Sequence, residues 1–440
     1  MISRYLRPAA LLALSPLIIA DHPVSPDTGY DILSYAVTLA PDAADKSVHG
    51  RETIHLRVDS PNLKKLIFSA NALHIHHSML NNSPVEFSSD SNGLSFLPRS
   101  LLHKGETVRL SFDFDGTPKR GIHAIPGGLY SSYFACDWMV CLQNSPGDKA
   151  LLRLDLVIPA GLQSLGPGKR VGRKTLPDGR VSVRWQTRRP YSPYLYGFAF
   201  GSFVQQNASK GNGREVYLDA TGGHADLKKL FAQTPAIVSF LSRKAGVSLP
   251  AGNYSQLLVP GYEAQEATTY SLIGEKALAR DLTHPDEQWI IVHELSHQWW
   301  GNLVTCATWR DLWLNEGFAT FMTAAWKEHR YGKAAYEAEL DVARSRLAKA
   351  RAAGFDKPLS WGGAYPSIGI RRAVQYSKGA LFLDHLRQLM GDNAFWRGIR
   401  HYTRDHAGGT VTSADFQNAM QHATKRDLSV AFNQWVYGRP

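Results

Sequence analysis

Cysteine is scarce in this chain, three in 440 residues, too few for a disulfide framework to stand in for a hydrophobic core. Long apolar runs are missing as well. Only Pro8 to Ala20 is apolar enough to interest a membrane, and thirteen residues cannot cross a bilayer as a helix, so no transmembrane segment is expected. Repeats and low-complexity tracts are absent. With 44% hydrophobic and 20% charged residues the composition excludes wholesale disorder, a collagen-like chain and a coiled coil. The excess positive charge of +11 lacks concentration: Lys169, Arg170, Arg173 and Lys174, then Arg188 and Arg189, stand beside glycine or proline at hairpin-turn spacing. That arrangement suits solvated loops, whereas a nucleic acid asks for a basic face or stripe, so no nucleic-acid partner is expected. Gly166-Pro-Gly168-Lys169-Arg170 is no phosphate loop either, because Arg170 occupies the place of the hydroxyl residue that would hold magnesium.

What is present begins with Arg4 and Arg7, the apolar stretch rich in leucine and isoleucine, and a small residue at Ala20. A basic start, a short apolar centre and a small residue make a secretory signal peptide over residues 1–20, and with it an exported protein, periplasmic or secreted. Its removal takes away two arginines and no acid, leaving +9.

From Asp31 to about Val204 apolar residues alternate, as in Tyr35, Val37 and Leu39 or Val108, Leu110, Phe112 and Phe114, with Pro, Gly, Asn and Asp between the runs. This predicts an antiparallel all-β domain over 21–205. His74 and His76 fall on one face of such a run with no third metal ligand near them in sequence, and read as solvent-facing strand residues. Beyond the loose stretch Asn207 to Gly223 the period becomes helical, at Asp226–Ala245, Pro285–Trp300, Asn315–Arg330, Ala334–Ala352, Tyr376–Met390 and Asn393–His406. A second, mainly helical domain is therefore expected over 206–440.

On the helix after Pro285 stands His293-Glu294-Leu295-Ser296-His297. Histidines four apart differ by roughly 40° around a helix axis, so both imidazoles can reach one ion with Glu294 alongside. Ile290, Ile291 and Val292 make the turn apolar, where unpaired polar groups are costly. A third ligand comes from Glu316 in Asn315-Glu316-Gly317-Phe318-Ala319, eighteen residues beyond His297. Two neutral nitrogens and a carboxylate with one position open are the ligand set of a catalytic zinc ion.

Residues His293 to Phe321, HELSHQWWGNLVTCATWRDLWLNEGFATF, resemble the core of the gluzincin aminopeptidases of the aminopeptidase N and leukotriene hydrolase type. The resemblance implies a thermolysin-like (α+β) zinc peptidase domain behind the β domain, one zinc ion per chain, and peptide substrates cut at the N-terminal bond. It further implies that Tyr376, in Gln375-Tyr376-Ser377-Lys378-Gly379, donates to the oxyanion, and that Glu294 is the general base acting on a water activated by zinc. The family's Gly-x-Met-Glu-Asn motif, whose glutamate grips the substrate amine, is altered here. Matching Ala264-Gln265-Glu266-Ala267 to its last four residues gives Glu266 and keeps the small residue two positions ahead; counting back from Tyr270 gives Glu263. Trp299, Trp300, Trp309 and Trp313 are expected in the core.

Gln434 to Pro440 resembles the end of the family's catalytic domain, where many members continue into further domains that roof the site. A more open cleft, accepting longer peptides, is the corresponding expectation. A zinc endopeptidase is the alternative should neither glutamate bind an amine, and an inactive zinc-stabilised binding protein is a further one, opposed by the intact Glu294 and Tyr376. Cys136 and Cys141, four residues between them, permit a local disulfide in an exported protein, and Cys306 reads as a buried thiol.

Overall fold

The computed structural model describes residues 28–91, 93–207, 215–223, 225–283 and 288–439. The expected leader lies outside them. Alternating burial drives the first half into sheets: in Thr107–Gly116, for instance, Val108, Leu110, Phe112 and Phe114 face inward and the residues between them outward. An eight-stranded sheet runs Lys169–Thr175, Val181–Gln186, Leu151–Ile158, Tyr30–Pro41, Val48–Val58, Thr107–Gly116, His74–Leu80 and Ser83–Pro84. One neighbouring pair departs from the antiparallel expectation, since Tyr30–Pro41 lies parallel to Leu151–Ile158. Alternation on one buried face is the same for either direction, so the pattern alone could not reveal it. A four-stranded sheet, with Gly128–Ser131 and Ala199–Gly201 at its centre, faces the second domain. Cys136 and Cys141 are bonded and Cys306 is a buried free thiol.

The second half is helical around one mixed sheet in the order Val204–Asn207, Glu215–Asp219, Tyr254–Val259, Tyr270–Gly274 and Ala264–Ala267. Its first strand straddles the expected division at 205/206 and pairs with the second domain. The helices fall where the period places them, among them Trp289–Ser296, Trp313–Tyr331, Lys333–Ala352, Gly379–Met390 and Asp392–Asp405. Trp299, Trp300 and Trp313 are wholly buried, and each indole N–H donates to a partner, Val247 O, Thr403 Oγ1 and Ser413 Oγ respectively. Trp309 bridges the two domain cores and meets Tyr194 edge-on.

The two domains share packing. Ile125, Tyr130, Leu165 and Ala199 of the four-stranded side form one apolar cluster with Leu218, Leu257, Ala267 and Leu272 of the mixed sheet. At the junction the half-buried Lys149 donates its ammonium to the carbonyls of Asn302, Leu303 and Gly409. Burial pushes its pKa down to about 7.

Two glycines let the helices of Glu316 and Gly379 meet backbone to backbone. A Cβ on Gly317 would lie 2.9 Å from Gly379 Cα, and one on Gly379 would lie 2.8 Å from Gly317 Cα. Backbone faces backbone here, so neither side can yield by turning a side chain. Alanine at Gly379 gains about 1 kcal/mol of helix propensity but incurs about 1–3 kcal/mol of overpacking at a contact that cannot relax. Gly379→Ala is therefore expected to lower stability by a net of up to ~2 kcal/mol, read as a lower urea midpoint at unchanged m-value.

Candidate active site

The helix Trp289–Ser296 is apolar on nearly every side, and its residues from Ile290 to Ser296 are all buried. His293 and Glu294 lie on it and His297 ends it. Glu316 comes from the first turn of Trp313–Tyr331, where its Oε2 lies 3.2 Å from His293 Nε2 and 3.4 Å from His297 Nε2. The other ring nitrogen of His297 donates to Trp300 O at 3.0 Å, so Nε2 is the nitrogen that faces Glu316. Gly301, at φ +139°, permits that bond, since a Cβ there would come within 3.0 Å of His297 Nδ1. His293 is oriented by stacking, with Trp289 at 4.3 Å and Tyr376 at 5.7 Å nearly parallel to it.

Glu266 reaches the same place from the edge strand Ala264–Ala267, close to Glu294 and His297. The alternation of a strand settles which glutamate faces the site. Ala264 and Glu266 line the cavity, Gln265 turns the other way, and Glu263 falls on the side of Gln265. Of the two amine-binding candidates, the structure places Glu263 outside the cavity lining, its carboxylate 3.6 Å from His123 Nε2.

Tyr376 sits on a π-helical turn, Ala373–Lys378, between Ile368–Arg372 and Gly379–Met390. The extra residue in that turn rotates the following face, a device common at functional sites. Lys378 fixes it, donating to Asp356 Oδ1 at 2.8 Å and Lys357 O at 2.7 Å. The cavity so formed, about 480 Å³ including its mouth, is lined by His293, Glu294, His297, Glu316, Glu266 and Tyr376. Arg371 and Arg372 also line it, a cationic side that the sequence reading did not foresee.

Tyr133 was missed as well. It lies in the β domain with φ +52°, a conformation uncommon for a residue with a side chain, and no sequence pattern marks it. Its hydroxyl donates to Ala264 O and its N–H donates to Gln265 Oε1. At the far end of the strand, Gln298 and Asn302 both donate to Ala267 O, at 3.1 and 2.9 Å. The strand that carries Glu266 is therefore held at both ends, once from each domain.

The charges are out of balance. Glu266, Glu294 and Glu316 are buried together, and burial pushes Glu294 well above the usual carboxylate range and Glu266 up to about 7. His297, which burial alone would keep neutral, is pulled up to about 10 by Glu266, Glu316 and Glu294. Three acids drawing on one imidazole fit a site that takes a divalent cation. Two imidazole nitrogens and one carboxylate, buried and mutually within 4.8 Å, are the donor set that zinc accepts.

Residues 231–435 match the Peptidase family M1 domain. Aminopeptidase 2 of Candida albicans is 23% identical over 92% of this chain and 46% of its own length. Aminopeptidase N of Lactococcus lactis subsp. lactis is 27% identical over 69% of this chain and 38% of its own. The chain thus spans less than half the length of these curated relatives. In fold, it is similar to the M1 zinc metallopeptidase from Deinococcus radiodurans, with a TM-score of 0.79 at 22% identity over 94% of this chain and 95% of that one.

Tyr133→Phe would leave the buried Ala264 carbonyl without its donor, at a cost of about 1–3 kcal/mol. A lower denaturation midpoint by circular dichroism is the expected result.

Proposed function

We propose that this chain, whose residues 231–435 are a Peptidase family M1 domain, is a zinc-dependent aminopeptidase that hydrolyses the N-terminal peptide bond of peptides. The main support is the convergence on one cavity of a metal donor set, a further buried acid, a phenol and an acid on an edge strand. Each group has a place in amide hydrolysis, and none is needed for the packing around it.

A zinc ion held by His293, His297 and Glu316 would supply Lewis acidity, polarising the scissile carbonyl and making a water more acidic. Glu294 Oε would then take the proton from the attacking water and hand it to the leaving amine. Burial, reinforced by Glu266 and Glu316, raises its pKa above an ordinary carboxylate in the metal-free protein, and a carboxylate so raised is suited to carrying a proton between water and amine. Tyr376, its own pKa raised by burial, stays protonated and offers its O–H to the carbonyl oxygen as negative charge develops there. Glu266 receives the substrate's α-ammonium in a charge-assisted hydrogen bond, an incoming cation that relieves its crowded anionic surroundings. Because its strand is clamped, the distance from amine to scissile bond is fixed at one residue. The reading extends to location: the leader expected over residues 1–20 would export the protein, and a Cys136–Cys141 disulfide persists in oxidising compartments.

A peptide with a free N-terminus and its acetylated twin separate this reading from an endopeptidase. Hydrolysis of the free peptide alone is expected, lost with a chelator and restored by zinc; equal cleavage of both would make the enzyme an endopeptidase. Glu294→Gln should lower kcat by about 10²–10⁴-fold with the zinc content unchanged by metal analysis, and full activity in that variant would remove the carboxylate from the mechanism. For Tyr376→Phe the expected loss is about 10²–10³-fold in kcat.

A further inference from the structure

Far from the cavity in sequence and in the other domain, the eight-stranded sheet gathers imidazoles and carboxylates on an exposed face. Antiparallel pairing places Asp115 opposite His74 and Asp113 opposite His76 on one side of Thr107–Gly116. On its other side Asp115 stands opposite His49 and Asp113 opposite Arg51. A bulge then interrupts the pairing on the histidine strand, where His77 has φ +49°. It turns His77 toward Asp113, with Nδ1 3.3 Å from Oδ2. Four histidines and two aspartates thus meet on adjoining strands.

Within this group the charges sort themselves. Arg51 Nε lies 2.6 Å from Asp113 Oδ1, so the row of Asp113 carries its own cation. Asp115 has only imidazoles. His76 Nε2 lies 2.5 Å from its Oδ1 and His74 Nδ1 3.4 Å from its Oδ2, one imidazole at each carboxylate oxygen. Histidines two apart on a strand project from the same face roughly 6.5–7 Å apart at their Cα atoms, and Asp115, opposite His74 and diagonal to His76 on the next strand, supplies a third ligand. The sequence denied this pair a third ligand because Asp115 is 39 residues from His76 along the chain; the pairing brings it within hydrogen-bond distance.

We propose that His74, His76 and Asp115 bind a first-row divalent transition ion on the outer face of the β domain, a second metal site distinct from the cavity of the M1 domain. Two imidazole nitrogens and a carboxylate are the donors that zinc, nickel and copper(II) accept, with copper the strongest by the usual affinity order. As the side chains stand, both imidazoles meet the carboxylate more closely than each other. All three are at least half exposed, at 73%, 50% and 51%, so closing on one ion requires only rotation of exposed side chains and leaves room for water ligands. His49, exposed in the same cross-strand row, stands opposite Asp115 on the other neighbouring strand. The inference does not depend on the peptidase reading.

The test uses the full chain without an affinity tag, its zinc site filled with one equivalent. Copper(II) is titrated in, with bound metal quantified after equilibrium dialysis and its ligands read by electron paramagnetic resonance. The expected result is uptake of a second equivalent at micromolar copper with hyperfine structure from imidazole nitrogen. In the double variant His74→Ala, His76→Ala the second equivalent should bind at least about 10-fold more weakly, with peptidase activity, circular dichroism and the first equivalent unchanged. Asp115→Asn should weaken it as well while both imidazole signals remain. A wild-type chain that takes no second equivalent overturns the proposal, and so does a double variant that binds it as tightly as the wild type.

Discussion

Three carboxylates share one buried cavity in this protein, and much of the local architecture exists to keep them there. Two unit charges about 4 Å apart repel by about 4 kcal/mol at the effective dielectric of a protein site, so Glu266, Glu294 and Glu316 would drift apart or take up protons if their supports were soft. His297 offsets part of that repulsion and a divalent ion would offset the rest. The cavity is therefore a place where binding energy is stored in advance: a cation entering it would meet a field already arranged and already unsatisfied.

That field is held by residues around the motifs as much as by the motifs themselves. Gln298 and Asn302 follow the second histidine and grip the carbonyl of Ala267, one residue past Glu266. Asn315, directly before Glu316, accepts from Cys306 N–H and donates to the Tyr194 hydroxyl, fixing the start of the helix that carries Glu316. Gly317 and Gly379 let the helices of Glu316 and Tyr376 touch backbone to backbone. Each of these is a short-range decision with a long-range result, since it places groups that are far apart in the chain within a few ångströms.

How much of this was legible depended on whether the information was local. His293, Glu294 and His297 are set by one helical turn, and Glu316 by the next helix start, so period and spacing were enough to read them. The choice between Glu263 and Glu266 needed the phase of a strand four residues long, too short for alternation to show. Tyr133 was beyond reach because its partners Ala264 and Gln265 are more than 130 residues away and its unusual backbone has no residue signature. Arg371 and Arg372 belong to no motif in the sequence, and they line the cavity from the short helix that runs into the π-helical turn of Tyr376. The β architecture followed from alternation, while its one parallel pair and the cross-strand meeting of His76 with Asp115 depend on pairing, which no window of sequence contains.

The seam between the domains bears on ancestry. Tyr133 of one domain satisfies a carbonyl and a side chain on the strand of Glu266 in the other, Lys149 closes three carbonyls across the same junction, and an apolar cluster draws on both sheets. A recombination event that exchanged either half would leave these groups facing strangers, with buried acceptors unsatisfied beside the acid cluster. Loops and surfaces of the two halves can change independently, whereas a change on one side of this seam calls for a matching change on the other.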